Sequence, residues 1–211
     1  MFNKIFFFRI RKKKIELLEI RRQSIHLFFG MILAMLLFFK IIDGFFLIGL
    51  FFLTLTFCSL IKYAKIPIFF QFLQIFERKK DLQSFPGKGL LFFVLGTTLS
   101  AIFFSRFIAT ASILILAFGD SVSHVFGRHF GRIKTPFHKK KYLEGLIFGV
   151  LLSTLAASFF MPFYQSFLAS LISMILEFPT ITFRKFTIDD NILIPLSASL
   201  TFYLLEIFEK F

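Results

Sequence analysis

Several stretches of this chain run for roughly 16–20 residues with almost no charge, about the length that crosses a hydrocarbon core as a helix. A 211-residue chain folding in water would have to hide all of these faces in one core. It lacks the polar surface to do so, because 57% of its residues are hydrophobic, against about 45–50% in soluble domains. Inside lipid an unpaired backbone amide or carbonyl is costly, so such segments must be helices. The predicted fold is an all-α integral membrane protein, a polytopic bundle of about seven transmembrane helices.

The spans read as 24–40, 45–61, 89–105, 107–119, 142–160, 163–180 and 192–208. The fourth is short. Only Arg106 separates it from the third, which leaves a helical hairpin or a broken pair open. Residues 66–76 are too few to span and read as an interfacial or re-entrant helix. Basic residues orient the bundle by the positive-inside rule. On one side lie eight Lys and Arg up to Arg22, six in 62–88, six in 120–141 and two in 181–191; on the other lie Lys40, Arg106 and Lys210. The N-terminus is therefore read as cytoplasmic. A basic segment, 1–23, precedes one transmembrane domain, 24–211. Its apolar patch comes before the basic cluster and no small-residue cleavage site follows, so it reads as retained. The net charge of +13 follows from this topology and from attraction to anionic headgroups, and no nucleic-acid partner is read from it. Cys58 is the lone cysteine and reads as a small buried hydrophobe.

Ionisable groups at membrane depth are expensive and mark function by default. Here they gather towards one face: His26 at the start of the first span, Asp120 at the end of the fourth, Glu144 at the start of the fifth, Glu177 near the end of the sixth, and Asp189, Asp190 and Asn191 before the seventh. On a helix, Asp120, Ser123 and His124 share a face. Gly127 and Gly131 allow a tight turn or close approach to a ligand. Arg128, Arg132, Lys134, Lys139, Lys140 and Lys141 supply cationic donors. A carboxylate beside a glycine- and arginine-rich loop suits a metal-bound polyphosphate. No P-loop occurs, and His124, His129 and His138 lack zinc-site spacing. Structural alternatives stand beside each reading: Asp120 paired with Arg128, Glu144 as a first-turn acid, Asp189 or Asp190 as a helix cap, His26 as an ordinary interfacial histidine, and Glu177 paired with Arg184.

At these residues the sequence resembles the polyprenol kinase group of integral membrane lipid kinases (dolichol kinase, phytol kinase and CTP-dependent diacylglycerol kinase), itself similar to the CDP-diacylglycerol synthases. The resemblance rests on Gly119-Asp120 through Gly127-Arg128 to Gly131; on Lys141, Glu144 and Gly145; on Glu177 followed by Asp190-Asn191 and Pro195; and on the opening Glu19-Ile20-Arg21-Arg22 with His26 and Gly30, where Gln23 replaces a basic residue. Ser121 follows Asp120 where the group often has Pro or Ala, and Tyr142 stands where Ser or Thr is common in Lys140-Lys141-Tyr142-Leu143-Glu144-Gly145.

The resemblance implies phosphoryl transfer from a nucleoside triphosphate, CTP or else ATP, to a lipid alcohol. It assigns Asp120 to Mg²⁺ or another divalent cation. Arg22, Gly127, Arg128, Gly131, Arg132, Lys140 and Lys141 bind the triphosphate. Asp190 and Asn191 hold a second metal or orient the acceptor hydroxyl, Glu144 or Glu177 serves as base or ligand, and His26 with Arg22 closes the site. The implied location is a bacterial inner or cell membrane with the active site on the cytoplasmic face. The alternatives are a phosphatidate cytidylyltransferase and a non-enzymatic transporter or scaffold. The first is disfavoured by the ending DDNILIPLSASLTFYLLEIFEKF, and the second by span centres that hold little beyond Ser and Thr.

Overall fold

The computed structural model describes residues 2–64, 67–77, 79–135, 138–177, 182–183 and 186–209. Ten α-helices are described: α1 (Phe2–Phe38), α2 (Gly44–Ala64), α3 (Pro67–Phe76), α4 (Lys79–Ser84), α5 (Lys88–Phe103), α6 (Arg106–Leu114), α7 (Ser121–Phe130), α8 (Leu143–Ala157), α9 (Phe163–Leu176) and α10 (Asp190–Phe208). Two antiparallel ribbons, β1 (Lys134–Thr135) with β2 (His138–Tyr142) and β3 (Thr182–Phe183) with β4 (Phe186–Thr187), lie in the connections before α8 and α10.

Four helical segments are long and apolar enough to cross a membrane: Leu17–Phe38, Gly44–Tyr63, Arg106–Phe130 and Asp190–Phe208. Shorter apolar helices are Lys88–Phe103, Leu143–Ala157 and Phe163–Leu176. The chain is an all-α membrane protein. Its outer faces carry bare aromatics such as Phe45 and Phe159, more than four fifths exposed, as expected where lipid is the solvent.

The fourth predicted span changes most. It does not stop at Asp120. A wide π-helical turn, Ile115–Asp120, joins α6 to α7, so one helix runs from Arg106 to Phe130. At 1.5 Å per residue it is about 37 Å long, with Asp120 about 21 Å along it. Asp120 therefore lies well inside a span and not at its end. This helix is 78% buried, against 22–28% for the other three long ones, so it is the hub of the bundle. Ile108, Ala109, Ile113, Ile115 and Leu116 on it pack with Leu33 and Ala34 of α1, Phe93 and Val94 of α5, and Ile194, Ala198 and Phe202 of α10. Gly119, where the predicted span ends, serves packing. A Cβ there would meet the Met174 sulfur of α9 at 2.6 Å. The predicted break at Arg106 does occur, as the short turn Phe104–Ser105, with Ser105 capping α6. The 66–76 segment contains a ten-residue helix, α3.

The boundary drawn at residue 23 falls inside α1, which runs unbroken into the membrane part. Cys58 is buried, as predicted. Pro195 lies inside α10 and has no amide to give the Asn191 carbonyl. Gly96 of α5 packs directly onto that carbonyl, and a Cβ at Gly96 would collide with the Asn191 oxygen and crowd the Pro195 ring. Gly96→Ala is expected to force α5 from α10 and lower stability by about 1–3 kcal/mol, read as a downshifted thermal unfolding transition in detergent. An unchanged transition would show that the two helices separate freely.

Candidate active site

The hub helix carries Asp120 into the interior at 6% exposure. One turn on, His124 Nε2 lies 3.2 Å from Asp120 Oδ1. From α1, His26 Nδ1 lies 3.9 Å from Asp120 Oδ2, its ring held edge-on against Phe93 with centroids 4.6 Å apart. The Ser121 hydroxyl donates to the Gln23 carbonyl at 3.1 Å and ties the two helices together here. At the end of α9, Glu177 is buried and completes a trio: one ligand atom each from Asp120, His124 and Glu177 lie within 4.8 Å of one another.

A second layer forms around Lys141, at the end of β2. Its ammonium donates to Glu177 Oε1 at 2.6 Å, to the Glu177 carbonyl at 2.8 Å and to Asp190 Oδ2 at 3.3 Å. Burial pulls the ammonium pKa down, but the two carboxylates outweigh it and hold the value above the ordinary one. Asp189 is the N-cap of α10: its carboxylate accepts from the Asn191 amide at 3.2 Å and from Asn191 Nδ2 at 2.8 Å. Capping thus falls to Asp189 and frees Asp190 for Lys141.

A third group was quoted in the sequence pattern but given no role. Glu19 of α1 is 2% exposed, and its carboxylate meets Arg22 at 2.7 Å and Arg128 of α7 at 3.2 Å. Arg128 is therefore paired with Glu19 and not with Asp120. The available signal was a glutamate one turn before Arg22 on a basic stretch.

An uncharacterized protein of Methanocaldococcus jannaschii is 34% identical over 185 residues, covering 84% of this chain and 88% of that one. Phytol kinase 1 of Arabidopsis thaliana, chloroplastic, is 29% identical over 134 residues, covering 56% of this chain and 43% of that one. CTP-dependent diacylglycerol kinase 1 of Saccharomyces cerevisiae is 28% identical over 92 residues, covering 42% and 31%. The chain belongs to the polyprenol kinase family of lipid kinases. It spans less than half the length of the two kinases it matches. No family model matches, and no solved structure matches.

Within this family pattern the glycines serve close packing. A Cβ on Gly145 would meet the Ser123 carbonyl at 2.5 Å and Gly127 Cα at 3.0 Å, so Gly127 and Gly145 let α7 and α8 cross closely. Gly131 packs under the Tyr142 ring, with φ −64°. Glu144, read as base or ligand, accepts from the amides of Arg132 at 2.9 Å and Ile133 at 3.1 Å, which fastens the loop between α7 and β1. Its carboxylate is not in the buried trio. The Arg132 side chain is exposed on the same loop. The side chain of Lys140, and Arg184 altogether, lie outside the described residues.

The family implies a divalent cation, and the trio can be tested for it. Buried polar atoms without a partner among the described residues include Glu177 Oε2, His26 Nε2 and Asn191 Oδ1. Buried polar atoms are ordinarily satisfied, and a carboxylate oxygen left open beside Asp120 is what a cation site requires. Asp120, His124 and Glu177 therefore fit such an ion. Asp190 is engaged by Lys141 and offers less to a second one.

Proposed function

We propose that this protein is a lipid kinase that transfers the γ-phosphoryl group of a nucleoside triphosphate, CTP for preference, to the hydroxyl of a membrane lipid alcohol such as a polyprenol, phytol or diacylglycerol. The observation that carries this reading is the convergence of three ligand atoms, from buried Asp120 and Glu177 and half-buried His124, in a member of the polyprenol kinase family. The paired guanidiniums of Arg22 and Arg128 sit on the same helices, α1 and α7, that carry His26 and His124. The preference for CTP rests on the yeast relative, whose name makes it CTP-dependent. The excess of basic residues on one side supports a site at the cytoplasmic face.

Phosphoryl transfer is mostly positioning and charge neutralisation. A divalent cation bound there would supply positive charge for the phosphate oxygens. Asp120 and Glu177 would hold it at a buried position, where electrostatic attraction is stronger than in water. Arg22 and Arg128 neutralise the triphosphate, and Glu19 fixes their direction. His26 Nε2 is the open acceptor for the proton of the lipid hydroxyl. The lipid enters sideways between helices, so only its hydroxyl must reach the polar layer.

Glu19→Gln keeps the shape but loosens both arginines. The KM for nucleotide is expected to rise about tenfold, corresponding to about 1.4 kcal/mol, with a smaller change in kcat. Steady-state kinetics in mixed micelles measure this. An unchanged KM would remove Glu19 from nucleotide binding.

The reading is tested by offering γ-labelled CTP and ATP to the purified protein with a panel of polyprenol, phytol and diacylglycerol. Label in one lipid identifies donor and acceptor together. If no lipid is labelled, α-labelled CTP with phosphatidate tests the cytidylyltransferase, whose product is a CDP-lipid. Silence in both overturns the enzymatic reading in favour of a transporter or scaffold.

A further inference from the structure

We infer that His124 is a direct metal ligand, and that the site consequently selects a manganese-type first-row ion over Mg²⁺. The inference rests on the cation reading of Asp120 given above and goes beyond it. The trio offers one imidazole nitrogen and two carboxylate oxygens. Mg²⁺ prefers oxygen ligands in a near-ideal octahedron and keeps much of its water. Imidazole suits Fe, Ni, Cu and Zn, and Mn²⁺, the oxygen-preferring end of that row, takes both carboxylate oxygens and is softer than Mg²⁺ towards a ring nitrogen.

The geometry fits direct ligation. Two ligands bound at about 2.1 Å and at right angles lie about 3 Å apart, within the range that metal–ligand lengths allow. His124 Nε2 and Asp120 Oδ1 are 3.2 Å apart. All three donor atoms lie within 4.8 Å of one another, so adjacent and opposite positions about one ion are both reachable. Glu177 is 3% exposed, and its two oxygens divide the work: Oε1 is held by Lys141, while Oε2 is buried without a partner. Lys141 bridges Glu177 and Asp190, and Asp120, His124 and Glu177 form the one metal-ligand cluster among the described residues. The competing description is a simple hydrogen bond from the His124 ring to Asp120. It leaves the Glu177 oxygen unexplained and gives the site no metal preference.

The test is direct binding by the full-length protein in detergent, stripped of divalent ions and free of nucleotide. Loss of the free Mn²⁺ paramagnetic resonance signal reports binding, and Mg²⁺ is titrated as competitor. One Mn²⁺ is expected per chain, with Mg²⁺ needed in at least tenfold excess to displace half of it. His124→Asp replaces nitrogen with oxygen and is expected to cut that preference about tenfold or more. His124→Asn, close in size and neutral, is the companion variant should the aspartate form fail to insert; it is expected to weaken Mn²⁺ with Mg²⁺ little changed. Equal Mn²⁺ preference in wild type and variants overturns the role of His124 while leaving the cation site standing. No binding of either ion overturns the cation reading as well, and the labelled-lipid assay shows separately whether the protein is still a kinase.

Discussion

Asp120→Asn protein is expected to insert and fold normally and to label lipid at less than about a thousandth of the wild-type rate, a loss of about 4 kcal/mol in transition-state stabilisation. Asparagine has nearly the same shape, so the contacts of the hub helix with α1, α8 and α9 persist. What disappears is the carboxylate charge that faces both His26 and His124 in the interior. On the proposed reading, Asp120 would then no longer hold the cation whose charge the phosphate oxygens need. Initial rates with labelled nucleotide measure the effect, and gel filtration with thermal unfolding checks the fold. Turnover above a tenth of wild type in a folded Asp120→Asn protein would sink the metal role of Asp120.

The second large effect is on stability. Lys141→Met removes the cation that holds Glu177 and Asp190 together. Breaking a buried pair by deleting one partner costs about 3 kcal/mol or more, because the remaining charge is stranded. Most of that cost falls on Glu177, whose side chain is 2% exposed; the Asp190 side chain is 40% exposed and solvent relieves it. The thermal transition should therefore fall by several degrees, and the link between α9 and α10 should loosen. The sequence reading gave Lys141 to the triphosphate, and the same variant separates the two roles. A raised KM with an unchanged unfolding transition would restore Lys141 to phosphate binding. A lowered transition supports the bridge across the two carboxylates.

The helices were legible because hydropathy reports the surface that faces lipid. The predicted spans at 45–61, 89–105, 142–160, 163–180 and 192–208 each overlay one observed helix. The fourth misread has a physical cause. Its helix is the buried hub, so it need not look greasy, and Thr110, Ser112, Gly119, Ser121 and Ser123 carry it. Gly-Asp then reads as an end, although Gly119 is there for Met174. The candidate acids were legible too, since a charge in an apolar run needs a reason. Their partners were not. Glu144 looks as catalytic as Glu177 in the sequence, yet one fastens a loop and the other enters the buried trio.

By itself the sequence determined that the chain lives in a membrane, which segments form its apolar helices, and which family pattern its charged residues follow. These are properties of single segments: apolar length, charge placement and motif order. The tertiary structure alone decided that Asp120, His124 and Glu177 converge, that Arg128 answers to Glu19, and that Lys141 reaches Glu177 and Asp190 across 36 and 49 residues. Pairings of that range have no period along the chain. They are set by how closely helices approach, and here small residues such as Gly96, Gly119, Gly127 and Gly145 fix that approach.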